Sequence, residues 1–242
     1  MVYKKAAKEL EKLSSPDDKK ILKKFFKTEK GQYGYGDKFL GIRVPEIRKV
    51  AKKFEELSLF DLEQLLKSSY HEQRMLALII LISQFKRSKN KKKYFDFYIK
   101  HIRHVNSWDL VDISAPKIVG EFLLDTDHTI LLRWAKSTNL WQKRVAMVSC
   151  LTFVRNKKKT HLVLGLADLL LDDSHDLIHK AVGWVLRELS KQNKQNKQKV
   201  LAFIDKYYFR LSRTTLRYTI EQFPDKQRKS ILLRKNKKTQ IV

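Results

Sequence analysis

The chain has 242 residues, a formal net charge of +26 and 43% hydrophobic residues, enough apolar content for a core in one large or two small domains. Seven glycines and four prolines are too few for the tight turns of an all-β sandwich or barrel, and one cysteine excludes a disulfide framework or a cysteine-cluster metal site. The longest apolar run, Met75 to Ile82, is too short to span a bilayer, and the first residues lack an apolar signal core, so we expect a helical protein of the cell interior with a polyanion as partner.

Helix signals follow one another along the chain. Ser15-Pro16-Asp17-Asp18 supplies an N-cap, a first-turn proline and an acidic third position, which predicts a short amphipathic helix running to Lys27. Pro45 opens the next helix. There Val44, Ile47, Val50, Ala51, Phe54 and Leu57 recur at steps of three and four, with Arg48, Lys49, Lys52 and Lys53 on the opposite face. Ser58-Leu59-Phe60-Asp61 reads as a second capping box. Short helices and turns continue to about residue 235, and no stretch alternates long enough for a strand.

A weak internal repeat underlies these helices. Aligned on Arg74, Val111, Arg144, Lys180 and Arg217, five segments recur at steps of 37, 33, 36 and 37 residues, the length of a helical-pair repeat of the HEAT or armadillo kind. Unrelated amphipathic helices can produce a similar spacing. If the repeat is real, the expected fold is an all-α superhelix, one domain over 1–242, whose aligned positions line a concave basic face. Three lysine-rich runs read as loops by composition: Lys86 to Lys93, Arg155 to Lys159, and Gln192 to Lys199, the last running into a helix start. Lys91, Lys92 and Lys93 are candidate phosphate contacts on a basic rim. Residues 236–242 read as a frayed tail.

The segment Ser107-Trp108-Asp109-Leu110-Val111-Asp112-Ile113-Ser114-Ala115-Pro116 is the most unusual. Trp108 and Asp112, four apart, share a helix face, and Pro116 should kink or restart that helix. Either Asp109 or Asp112 could be a capping carboxylate and Trp108 a core anchor. Alternatively Trp108, Asp112, Arg144 and Trp184 meet on successive repeats, where a carboxylate between two indole faces suits a developing cation.

Four segments in order resemble the bacterial AlkD family of DNA alkylation repair glycosylases. They are Phe39-Leu40-Gly41-Ile42-Arg43-Val44-Pro45-Glu46-Ile47-Arg48, Ser107-Trp108-Asp109-Leu110-Val111-Asp112, Leu140-Trp141-Gln142-Lys143-Arg144, and Lys180-Ala181-Val182-Gly183-Trp184-Val185-Leu186-Arg187-Glu188. The resemblance covers about residues 30 to 225. It implies a stack of HEAT-like repeats that clamps duplex DNA and hydrolyses the N-glycosidic bond of cationic N3- and N7-alkylpurines such as 3-methyladenine and 7-methylguanine, leaving the lesion stacked. It implies Asp112 as the catalytic aspartate, Trp108 and Trp184 as the aromatic pair against the lesion sugar, and Arg144 near the lesion-strand backbone. Arg43, Arg48, Lys180 and Arg187, within the same motifs, are further candidate DNA contacts. The expected protein is a monomer of the bacterial cytosol, nucleoid-associated, without cofactor, metal, membrane or obligate protein partner. The lysine-rich runs and Gly31-Gln32-Tyr33-Gly34-Tyr35-Gly36-Asp37 depart from the family's pattern.

Weaker candidates are His101 with His104 and His175 with His179, read as surface histidines rather than metal ligands. The Gly31, Gly34, Gly36 loop lacks a P-loop ending and reads as a turn or a loop on the DNA backbone. Cys150 reads as a core residue.

Overall fold

The computed structural model describes residues 1–234; the expected tail at 236–242 lies outside them. Among the described residues the secondary structure is helical, with one isolated bridge between Lys38 and Tyr70. Two compact units divide the chain, Met1–Phe122 and the residues from Leu123 on.

In the first unit α1 (Val2–Glu11), α2 (Pro16–Phe25), α3 (Val44–Lys53), α4 (Leu59–Leu66), α5 (His71–Arg87), α6 (Lys91–Lys100) and α7 (Trp108–Ala115) follow in order. The caps act as the sequence predicts: the Ser15 hydroxyl accepts from Asp18 N and the Ser58 hydroxyl from Asp61 N. The predicted apolar face of α3 is buried through Ile47, Val50 and Ala51. Helices α3, α4 and α7 each pack on α5. That helix is therefore covered almost all round, as its unbroken apolar run Met75 to Ile82 requires. Each fully covered leucine or isoleucine there, such as Leu76 or Ile80, contributes roughly 1.5–3 kcal/mol of burial.

Pro116 has no N–H to offer the Asp112 carbonyl, so a regular α-ladder cannot pass it. The chain widens into a π turn over Pro116–Gly120, which hands the donor role on by one residue. It then closes with α8 (Glu121–Leu123). The expected kink is thus a local widening.

The second unit holds α9 (Thr129–Ala135), α10 (Leu140–Arg155), α11 (Thr160–Leu169), α12 (Asp176–Lys191), α13 (Lys194–Tyr207), α14 (Arg213–Thr219) and α15 (Asp225–Leu232). Helix α10 packs against α12, and α12 against α14. Every residue from Arg144 to Val154 is buried. Cys150 lies in this core, where burial pushes its thiol well above the usual range, so it carries no nucleophilic thiolate.

The repeat alignment has a physical basis. Arg74, Val111, Arg144, Lys180 and Arg217 each fall in the first turn and a half of α5, α7, α10, α12 and α14, the second helices of successive helix pairs. The lysine runs need correction. Lys86 and Arg87 end α5, and Lys91 to Lys93 begin α6, where the Asn90 side chain accepts from Lys93 N. Asn193 caps α13 in the same way through Asn196 N. The loops are shorter than the runs: Ser88 to Asn90, Gln192 to Asn193, and Asn156 to Lys159, the last with Lys157 and Lys159 left-handed at φ 55° and 54°.

Candidate active site

Trp108 opens α7 and Asp112 follows one turn later, so both side chains share a face. They border a cavity of about 480 Å³ in the first unit, walled by Phe25, Phe26, Phe39, Ile42, Ile47, Met75 and Ile113, with Arg43, Arg48, His71, Glu72 and Asp109 completing it. One indole face is already occupied. Phe26 stacks on Trp108 at 5.3 Å and 16°, and Phe25 meets it edge-on at 5.7 Å. Phe26 in turn stacks on Phe39 at 5.1 Å. Such aromatic contacts add about 0.5–1.5 kcal/mol each beyond burial.

The floor of the site is a buried charge network absent from the sequence reading. His71, 3% exposed, faces Asp109 Oδ2 with Nε2 at 2.8 Å and Asp37 Oδ2 with Nδ1 at 3.3 Å. Arg74, also buried, donates Nη2 to Asp37 Oδ1 at 2.6 Å and Nη1 to the Ser68 carbonyl. Burial opposes the charge on His71, but the Asp109 and Asp37 carboxylates outweigh it and hold its pKa up to about 9. Burial likewise opposes the charge on Asp109, yet His71 beside it and the Leu110 N–H hold its carboxyl below the usual range. Asp109 is therefore a carboxylate tied into the helix start.

A second buried carboxylate shapes the Phe39-to-Pro45 motif. Glu72, 1% exposed, accepts from Leu40 N and Gly41 N at 2.9 Å each and from Ile42 N at 3.2 Å. Gly41 has φ +89°, and a Cβ there would meet the Ser15 carbonyl oxygen at 2.1 Å. Only glycine fits that turn, and the turn delivers Phe39 onto His71 at 4.7 Å.

The other two expected site residues belong to the second unit. Arg144, on α10, is 4% exposed and donates Nη1 to the Leu177 carbonyl. Trp184 is half-buried on α12, beside Gly183. A Cβ at Gly183 would meet Tyr218 Cβ at 2.5 Å and the Thr215 carbonyl oxygen at 2.8 Å, so this glycine sets how closely α14 approaches α12. We expect Gly183→Ala to cost about 1–3 kcal/mol through overpacking, lowering the melting temperature by roughly 3–10 °C. A thermal melt with unchanged midpoint would mean the interface gives way freely.

The expected DNA contacts vary in availability. Arg48, Lys92 and Lys93 are exposed. Arg43 is exposed and pairs with Asp18, Lys92 with Asp96 at 2.6 Å, and Lys180 with Asp176 at 2.7 Å. Arg187 is half-buried against Glu221 and Glu188. Lys91 donates to the Phe85 and Lys86 carbonyls, closing the C-terminus of α5. Gly31 and Gly36 adopt φ +83° and +88° in a turn. The histidine pairs are not simply surface residues: His101 is buried on Phe97, and His175 caps α12 by accepting from Leu177 N. Among the described residues no cluster could hold a metal ion, and no helix is long and apolar enough to cross a membrane.

Fold and site together define a helical-repeat protein with an acidic and aromatic cavity. The DNA alkylation repair enzyme family matches residues 6–223, nearly the whole chain, and the protein belongs to that family. No curated protein matches it. A solved structure from Enterococcus faecalis, described as a predicted DNA alkylation repair enzyme, superposes with a TM-score of 0.67 at 20% identity, over 88% of this chain and 97% of that one. That likeness is one of fold.

Proposed function

We propose that the protein is a monofunctional DNA glycosylase that hydrolyses the N-glycosidic bond of cationic N3- and N7-alkylpurines in duplex DNA, without flipping the base. The observation that carries this reading is the pairing of Asp112 with Trp108 on one face of α7, at the border of a cavity with several aromatic walls. An alkylated purine already carries positive charge and leaves without a general acid. The remaining demand is to stabilise an oxocarbenium-like sugar and to place a water. A carboxylate beside an indole face meets that demand. Arg144 and Trp184 enter the proposal as the phosphate contact and second aromatic surface that the family's motif implies.

A non-catalytic DNA- or RNA-binding module is the second reading, favoured by the net charge of +26. It gives Asp112 no task, since a carboxylate in a phosphate-binding groove repels its ligand. The deciding experiment incubates the protein with a duplex carrying 7-methylguanine and assays for abasic sites. Release of free 7-methylguanine supports the glycosylase; tight binding without release supports the module.

Either reading requires salt-sensitive binding. With about 5 to 8 phosphates neutralised, log K against log salt should fall with a slope of about −4 to −7. Replacing Lys92 and Lys93 together should reduce the slope by about 2 if both meet phosphate. Lys91→Ala should instead lower stability, because its ammonium closes α5. An unchanged slope in the Lys92/Lys93 variant places the start of α6 away from the nucleic acid.

A further inference from the structure

We propose that His71, bonded through its two ring nitrogens to Asp109 and Asp37, is a positioning residue that fixes the first turn of α7 and so the placement of Trp108 and Asp112. The activity arm of this proposal rests on the glycosylase reading; its structural arm does not.

The geometry reaches α7 by two routes from one imidazole. The first is polar. Nε2 lies 2.8 Å from Asp109, the residue after Trp108 on the helix that also carries Asp112. An aspartate in the first turn of a helix is ordinarily satisfied by water and the helix dipole. Here its side chain is only 15% exposed and is drawn inward onto His71. The second route is aromatic. The ring packs against Phe26 at 4.9 Å, and Phe26 stacks on Trp108. Phe39, stacked on the imidazole at 4.7 Å and 20°, gives the ring a fixed plane.

Two carboxylates facing both ring nitrogens call for two N–H donors, which only the imidazolium provides. Asp109 faces it from α7, Asp37 from the segment before α3, and Arg74 from its own helix, while Glu72 on α5, Asp112 on α7, and Arg43 and Arg48 on α3 border the same cavity. Loss of the His71 proton leaves the imidazole with one N–H for two carboxylates and removes the positive charge that draws Asp109 inward; Asp37 keeps Arg74, and Asp109 keeps only contacts from its own helix start. Asp109 is then released towards water, and the first turn of α7 loses its tether. The cation should persist through neutral pH and titrate near 9.

The test combines imidazole ¹⁵N resonances of His71, the indole N–H resonance of Trp108, and single-turnover excision of 7-methylguanine at saturating enzyme. All are followed from about pH 6 to about pH 10, far above the ordinary histidine value near 6.5, with spontaneous release subtracted. Wild-type protein should show the Trp108 resonance shifting, and excision falling, in step with His71 deprotonation. Asp109→Asn keeps a hydrogen-bonding group but removes the charge, so it should move all three transitions to lower pH together. His71→Gln should bind undamaged duplex as wild type does and lose about 10- to 100-fold in the excision step, the scale of a reacting geometry displaced by about an ångström, with a flat alkaline profile. Wild-type excision and an unshifted Trp108 resonance in His71→Gln would overturn the proposal. So would a Trp108 resonance indifferent to the His71 titration. If the wild type excises nothing, the glycosylase reading fails, and the two resonances still decide what His71 does. If His71→Gln does not fold, the comparison of Asp109→Asn with wild type decides it alone.

Discussion

Asp112→Asn should fold normally, bind duplex DNA at least as tightly as the wild type, and release 7-methylguanine about a hundred- to a thousand-fold more slowly. The substitution preserves size and most hydrogen bonding and removes one negative charge. A groove that holds phosphate tolerates that loss, because a repulsion disappears. The departing purine does not, because its sugar gains positive charge along the reaction. Losing one well-placed electrostatic stabiliser in a partly dry site costs on the order of 3–4 kcal/mol in the transition state. Trp108→Ala should cost less in the chemical step, since an aromatic face attracts a cation by about 0.5–2 kcal/mol. It should also lower stability, because Phe26 and Phe25 pack on that indole. Single-turnover excision, circular dichroism and a binding titration separate these effects. Near-normal excision by Asp112→Asn would remove Asp112 from the mechanism and favour the binding module.

What could be read from the sequence follows from the range of each interaction. Caps at Ser15 and Ser58 are local signals three residues long, and both hold. The apolar face of α3 depends only on helical periodicity, and it too is buried. The repeat was visible because helix starts recur at similar spacing, so Arg74, Arg144 and Lys180 fall at matching places on α5, α10 and α12. The helix start expected within Gln192 to Lys199 is found at Lys194, whereas in Lys86 to Lys93 the lysine composition outweighed the single asparagine that caps the following helix. Asn90 and Asn193 supply the oxygen that closes the first turn, and an exposed first turn can carry lysines at little cost. The His71 network was hidden for a different reason. Asp37 and Asp109 stand 34 and 38 residues from His71, and no local pattern marks three such residues as neighbours. The packing of α7 on α5 brings Asp109 to His71, and the backbone pairing of Lys38 with Ser69 and His71 brings Asp37.

Glu72→Ala should strongly destabilise the first unit, by about 3–5 kcal/mol. Three backbone N–H groups, those of Leu40, Gly41 and Ile42, have its carboxylate as their acceptor in a buried setting. Each unsatisfied donor costs about 1–3 kcal/mol, less where water can follow into the space left behind. The chain has little room to relax. Gly41 sits within reach of the Ser15 backbone, the Leu40 carbonyl accepts from Ser15 N, and Lys38 pairs with Ser69 and His71. At roughly 2–4 °C per kcal/mol for a protein of this size, the melting temperature should fall by about 10 °C. Glu72→Gln should fall nearly as far, because its amide group turns a donor towards donors and leaves one oxygen for three N–H groups. The same change from carboxylate to carboxamide therefore has opposite readouts at two positions in one cavity. At Glu72 it removes stability, because the carboxylate there serves the backbone. At Asp112 it should remove turnover while the protein still folds, if the glycosylase proposal holds. Melting curves of the two carboxamide variants, measured beside their excision rates, test this division; a Glu72→Gln protein as stable as the wild type would show that the 40–42 turn holds without its acceptor.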